Sequence, residues 1–157
     1  MDTLWAPWRI SYIEMAKPQG CILCDKPKEK KDDENYILYR ARHNFVILNA
    51  FPYNPGHLMV APYRHVPSPE ELNPEELLEH SQLINQCLGA LRESFGSHDF
   101  NVGMNLGTVA GAGVPGHMHS HIVPRFSGDT NFMPVLADTK VIPQALKDTY
   151  IKLKSKF

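Results

Sequence analysis

No stretch of this chain approaches the roughly 18 consecutive apolar residues that a membrane-spanning helix requires. The opening Met1-Asp2-Thr3-Leu4-Trp5 has no basic region followed by an apolar stretch, so no signal peptide is expected. Cytoplasmic residence is the corresponding expectation. Net charge is nearly lacking as well, at -1, so no global field draws the protein to nucleic acid or anionic lipid. An anionic ligand must then be held by local groups. Cysteine is scarce: Cys21 and Cys24 form a C-x-x-C pair and Cys87 stands alone. An odd count without a secretion signal excludes a disulfide framework. Neither an internal repeat nor a second core is visible, and 157 residues fit one domain, 1–157, with an N-terminal arm of about 1–30 that carries the C-x-x-C.

What is present divides into short apolar runs and one long periodic segment. Residues 1–20 are irregular and aromatic-rich, with Trp5, Trp8 and Tyr12; the two tryptophans read as packing or dimer anchors. Residues 26–35 are dense in charge and read as a surface loop. Tyr36–Tyr39, Asn44–Leu48 and Leu58–Ala61 read as three strands of an antiparallel meander; between the last two lies a turn-rich segment, Asn49 to Gly56. Asn73-Pro74-Glu75-Glu76 opens a long helix, Gly96 ends it, and Leu77, Leu78, Leu83, Ile84, Cys87 and Leu91 form its expected core stripe. Cys87 thus reads as a small core residue. Phe100–Leu106 alternates as a fourth strand, residues 107–116 are a glycine-rich loop, His117–Val123 is a fifth strand, and Pro143–Lys154 is a C-terminal helix. The fold class expected is α+β: a mostly antiparallel sheet with a long helix and a C-terminal helix.

The sharpest feature is His117-Met118-His119-Ser120-His121. In a strand, residues two apart share a face, so three imidazoles would stand in a row, roughly 7 Å apart, with Met118, Ser120 and Ile122 turned to the core. Neutral imidazole is nucleophilic near pH 7 and can attack phosphorus, while its neighbours donate hydrogen bonds to phosphate oxygens. The preceding glycine-rich loop can bring backbone N–H groups to a phosphate. Neutral imidazoles also bind metals, so a metal site is the alternative reading of the row. C-x-x-C is half of a tetrahedral zinc site and needs two more ligands; a reduced pair without metal is its alternative.

The motif resembles the histidine-triad family, whose signature is His-x-His-x-His followed by apolar residues. Asn54-Pro55-Gly56-His57-Leu58-Met59-Val60 is similar to the family segment that brings a fourth histidine to the triad. Leu4-Trp5-Ala6-Pro7-Trp8-Arg9 and Gly128-Asp129-Thr130-Asn131-Phe132-Met133-Pro134 resemble the diadenosine tetraphosphate phosphorylase-type branch. The resemblance implies that His119 is the nucleophile carrying a transient nucleotidyl group, that His121 binds the transferred phosphate, and that His57 supports phosphate or the proton network. It implies Asn49 on the ribose, and Asn105 and the loop at Gly113 on the phosphates. It implies a structural zinc held by Cys21, Cys24, His65 and His117, which leaves the chemistry to His119. It implies a twofold homodimer acting on a small adenine nucleotide, with inorganic phosphate or water as acceptor. Arg125 reads first as a paired or solvated surface group, second as a phosphate contact. Ser120 departs from the family, which often has an apolar residue there. Phe126 stands where the branch often has Trp, and Gly113-Val114-Pro115-Gly116 lacks a hydroxyl common just before the triad. The leading expectation is cleavage of dinucleoside polyphosphates; the rivals are an AMP-amine phosphoramidase and a zinc-stabilised nucleotide-binding module.

Overall fold

The computed structural model describes residues 20–129 and 144–157. The segments around Trp5, Trp8 and Tyr12 and residues 130–134 lie outside the described residues. The elements are α1 (Ile22–Glu29), α2 (Asp32–Asn35), β1 (Ile37–Arg40), β2 (Asn44–Leu48), β3 (Leu58–Pro62), a short 3-10 turn (Pro69–Glu71), α3 (Pro74–Phe95), β4 (Asp99–Met104), β5 (Ser120–Arg125) and α4 (Leu146–Lys154). Five strands form one sheet in the order β1-β2-β3-β5-β4, every neighbour antiparallel. The expected α+β class is what the chain adopts. Among the described residues no helix is long and apolar enough to cross a membrane.

β2 and β3 are buried at every position because both faces of the sheet centre are covered. On one face Val46, Leu48, Leu58, Val60 and Ile122 pack with Leu83, Cys87 and Leu91 of α3 and Leu153 of α4. On the other, Phe45, Ile47, Met59 and Ala61 pack with Leu23 of α1. β4 is an edge strand that is largely exposed, with Val102 and Met104 open to solvent. α3 lies over β2, β3 and β5, and of β4 only Phe100 is half-buried, beneath Arg92 of that helix.

The long helix begins and ends where the sequence places it. Asn73 accepts the N–H of Glu76 at 2.9 Å while the Glu76 carboxylate accepts that of Asn73, a reciprocal capping box, and Gly96 closes the far end in the left-handed region at φ 64°. Its buried stripe differs from the expected one. Leu77 and Leu78 are 44% and 61% exposed, whereas Glu76 and His80 are buried with Leu83, Cys87, Ala90 and Leu91. Counting apolar residues shifts the stripe, because two of its members are polar and satisfied by distant partners. Residues 26–35 are not a loop. They lie largely in α1 and α2, held by Arg40, which donates to Asp32 and to the Pro27 carbonyl, and by Asn35, which donates to Glu29. Strand β1 starts one residue later than expected, and α4 starts at Leu146 rather than Pro143, which itself lies outside the described residues.

Strand β5 also starts later, at Ser120 instead of His117, and runs on to Arg125. Its ladder against β3 ends at the Val60–Ser120 pair, and two residues beyond Val60 stands Pro62, which has no N–H to offer. Met118 instead donates its N–H to Val66 at 2.7 Å. The alternation survives: Met118, Ser120 and Ile122 are all buried toward the core.

Candidate active site and metal centre

The histidine segment serves two places. His117 turns to the cysteines. Its Nε2 is 2.8 Å from the Pro62 carbonyl, which can only accept, so Nε2 carries the proton and Nδ1 presents a lone pair. That Nδ1 lies 3.3 Å from Sγ of both Cys21 and Cys24, and Nδ1 of His65 is 3.3 Å from Sγ of Cys24. One donor atom from each of the four residues falls within 4.8 Å of the others. Two sulfurs and two imidazole nitrogens about a tetrahedral zinc would stand about 3.5 Å apart, so the donor set suits that ion in kind and spacing. With the two thiols side by side, burial, the hydrogen bond to Cys21 and its charge push Cys24 up to about 11; a bound cation reverses that balance by favouring thiolate. Gly116 passes so near His65 that a Cβ there would lie 3.1 Å from its Nε2.

His119 and His121 turn instead toward His57, so the expected row of three is a pair plus one. The ring centroids of His119 and His121 are 4.8 Å apart, and those of His57 and His121 are 5.1 Å apart. The proton positions follow from the partners. Nδ1 of His119 is 2.9 Å from the carbonyl of His117, so it is protonated and Nε2 holds the lone pair. The backbone N–H of Tyr53 donates to Nδ1 of His57 at 3.1 Å, which places the His57 proton on Nε2. That Nε2 donates to Nδ1 of His121 at 2.9 Å, which leaves the His121 proton on its own Nε2. The site thus presents one bare imidazole nitrogen, from His119, beside one N–H, from His121. Among the described residues neither Nε2 has a partner, and neither is a sealed polar atom.

Burial keeps these rings neutral. His57 is fully buried, and burial with the neighbouring imidazoles pushes it down to about 3. His121 is pushed down to about 4 by burial and then His119. His119, 4% exposed, is lowered by burial against the raising effect of the His117 carbonyl. Neutral imidazole is the form able to attack phosphorus.

His57 is held by the turn before it. Asn54 donates to the Pro124 carbonyl at 3.0 Å and to Asp129 at 2.7 Å, tying the turn to the end of β5. Gly56 follows at φ 82°, with Leu91, Phe95 and Pro124 close enough that a Cβ would meet all three within 3.3 Å. Asn49, just past β2, places its Nδ2 3.5 Å from both nitrogens of His57. Asn105 lies at an open cleft of about 400 Å³ that runs from His121 past Tyr53, Asn101, Met104 and Arg125. Gly113 is exposed in the glycine-rich loop. Arg125 is paired: it donates to both oxygens of Asp129 and to Asn101. Tyr53 is absent from the sequence expectations. Its part is a backbone N–H and a ring 4.5 Å from that of His57, which only the turn's path reveals.

An antiparallel sheet backed by a long helix, with a His-x-His-x-His segment and a fourth imidazole packed beside its last two histidines, defines the histidine-triad class of nucleotide-handling proteins. The chain belongs to the HIT domain family, whose profile matches residues 30–128. It is 38% identical to an AP-4-A phosphorylase of Mycobacterium tuberculosis, over 95% of this chain and 80% of that protein. It is 33% identical to a bis(5'-nucleosyl)-tetraphosphatase (asymmetrical) of Schizosaccharomyces pombe, over 59% of this chain and 50% of that protein. A Zn-bound histidine triad family protein from Mycobacterium smegmatis shares the fold at 22% identity, with a TM-score of 0.70 over 87% of this chain and 92% of that one.

Proposed function

We propose that this chain cleaves dinucleoside polyphosphates of the diadenosine tetraphosphate type through a nucleotidyl group carried on His119. The observation that carries the reading is the bare Nε2 of His119 set beside the protonated Nε2 of His121. Nε2 of His119 attacks the α-phosphorus, a P–N bond forms, and the P–O bond to the rest of the substrate breaks. The nucleoside polyphosphate leaves with that electron pair. His121, neutral with its proton on Nε2, donates that N–H to a non-bridging phosphate oxygen while its Nδ1 stays bonded to His57. An acceptor oxygen then attacks phosphorus, the P–N bond breaks with its electron pair returning to Nε2 of His119, and the acceptor's proton passes to solvent. Phosphate as acceptor yields ADP; water yields AMP. The 38% identity to an AP-4-A phosphorylase over nearly the whole chain favours phosphate. Asn49, near His57, is assigned to the ribose; Asn105 and the loop at Gly113 are assigned to the phosphates.

The same reading includes a structural zinc on Cys21, Cys24, His65 and His117, supported by the convergence of four suitable donors. Zinc there would fix the segment two residues before His119 and take no part in the reaction. It includes a single domain over 1–157 that works in the cytoplasm, where thiols stay reduced. It includes a twofold dimer, supported by the bare edge strand β4 with exposed Val102, Met104 and Leu106. The test is product analysis with diadenosine tetraphosphate, with and without inorganic phosphate. ADP plus ATP only when phosphate is present supports the phosphorylase; AMP plus ATP in both reactions overturns it in favour of hydrolysis.

A further inference from the structure

Behind the histidine segment, on the helix face of the sheet, runs a buried polar chain that the chemistry above leaves unused. Ser120 stands between His119 and His121 and points the opposite way, toward α3. Its Oγ is 2.8 Å from Nε2 of His80. Nδ1 of His80 is 2.9 Å from Oδ1 of Asn44. Nδ2 of Asn44 donates to the Glu79 carboxylate at 2.9 Å and to the Glu76 carbonyl at 3.1 Å. Glu79 also accepts the backbone N–H groups of Arg42, His43 and Asn44. Asn44, His80 and Ser120 are each buried to within 1% of full enclosure.

The direction of every bond is determined. A carboxylate and a carbonyl only accept, so the Asn44 amide N–H groups go to them and its oxygen faces His80. Nδ1 of His80 therefore donates. Burial holds this ring neutral, pushed down to about 4, so Nε2 accepts and the Ser120 hydroxyl donates. A polar chain in an apolar core is unfavourable unless each member is satisfied, and here each is. Its far end is the glutamate that ties the β1–β2 turn to α3; its near end is the first residue of β5. Ser120 pairs in the ladder with Val60 and Met104, while residues 117–119 lie beyond the ladder. Ser120 is thus the last point of regular sheet before the segment that bears His119. An apolar side chain there would be held by non-directional packing alone. The hydroxyl adds a directed bond to a rigid helix.

Resting on the roles given to His119 and His121 above, we propose that the Ser120–His80 hydrogen bond, backed by Asn44 and Glu79, is a positioning device for the reaction. It holds the backbone between the two imidazoles from behind, so that the attacking nitrogen and the phosphate-binding N–H keep one relative placement. His80 and Ser120 are positioning residues; neither touches substrate.

Three variants test this on the full chain: Ser120→Ala, His80→Gln, and the double variant His80→Leu with Ser120→Ala. For each, kcat and KM on diadenosine tetraphosphate, Tm, and the ring ¹⁵N shifts of His119 and His121 are measured. Ser120→Ala is expected to lower kcat by about 10- to 100-fold, as misplacement of about 1 Å does, with KM within about 3-fold of wild type. His80→Gln keeps an acceptor for Ser120 and a donor for Asn44, and should hold kcat within about 3-fold of wild type. The double variant removes both ends of the Ser120–His80 bond but leaves Oδ1 of the buried Asn44 unpaired, so its Tm should stay below wild type while kcat stays at the Ser120→Ala level. A double variant that regains wild-type kcat together with Tm would overturn the proposal, as would a Ser120→Ala variant with lowered Tm and unchanged kcat. Wild-type protein without turnover would instead sink the reading of the site. The ring shifts then decide: displaced shifts in Ser120→Ala uphold the positioning bond, and unmoved ones refute it.

Discussion

Nε2 of His57 lies 2.9 Å from Nδ1 of His121, although 64 residues separate them in the chain. This bond sets which nitrogen of His121 is protonated, and the Tyr53 N–H sets the same for His57. His57→Phe keeps a ring of similar size and removes the donor. The unpaired Tyr53 N–H and His121 Nδ1 should cost about 1–3 kcal/mol of stability. The loss of a fixed tautomer should lower kcat by roughly 10²-fold, within the range for a positioned proton donor. Steady-state kinetics and denaturant titration check both; an unchanged kcat would detach His57 from the chemistry.

His119→Asn removes the attacking nitrogen and leaves the fold around it. Turnover should fall on the order of 10⁴-fold or more, as when a nucleophile is deleted. AMP affinity should stay within a few-fold. Intact mass at alkaline pH should show an adenylyl adduct on the wild type during turnover and none on the variant.

The four-donor cluster predicts about one zinc per chain by elemental analysis. Cys24→Ser should lose that metal and lower Tm by roughly 10 °C, corresponding to a few kcal/mol in a domain of this size. Chelation of the wild type should reproduce the shift, and added zinc should restore it. Equal Tm with and without metal would leave the cysteines as a reduced pair.

Stability should fall as pH drops from about 6.5 to about 4. His80 is held neutral at about 4 in the folded chain against an ordinary value of 6.5, so the unfolded chain binds more protons across that window. The contribution is complete above 6.5 and lost on the way down, on the order of 3 kcal/mol for His80. His57 acts in the same direction. Urea titrations at pH 7.5 and 5 measure the slope. The double variant His80→Leu with Ser120→Ala keeps any acid loss of zinc and should have a shallower slope; equal slopes would refute the assignment.

Gly56→Ala should be destabilising by about 1–3 kcal/mol. Its φ of 82° disfavours a side chain, and the new Cβ would stand 3.0 Å from Leu91, 3.2 Å from Phe95 and 3.3 Å from Pro124. Because His57 is the next residue, kcat should fall with Tm. A variant with wild-type Tm would show that the turn yields freely.

Local signals in the sequence were enough for the elements with local causes. The capping box at Asn73–Glu76 and the left-handed Gly96 delimit α3 through contacts a few residues apart, and the alternation of Met118, Ser120 and Ile122 follows from the period of an extended chain. The apolar stripe of α3 was misplaced because His80 and Glu76 are buried by virtue of Ser120, Asn44 and Arg64, residues that periodicity does not see. The charged run at 26–35 concealed helices for a similar reason, since Arg40 holds them from the next strand.

The sequence by itself determined that three histidines recur at every second position after a glycine-rich loop, and that two thiols stand three residues apart. Only the tertiary structure decided what each imidazole does. His117 is turned away by Pro62 and the cysteines, His121 is set by His57, and Ser120 is held by His80. Each of those partners is at least 40 residues distant along the chain. The proton on an imidazole goes to whichever nitrogen faces an acceptor, and that is fixed by packing across the sheet rather than by spacing along it.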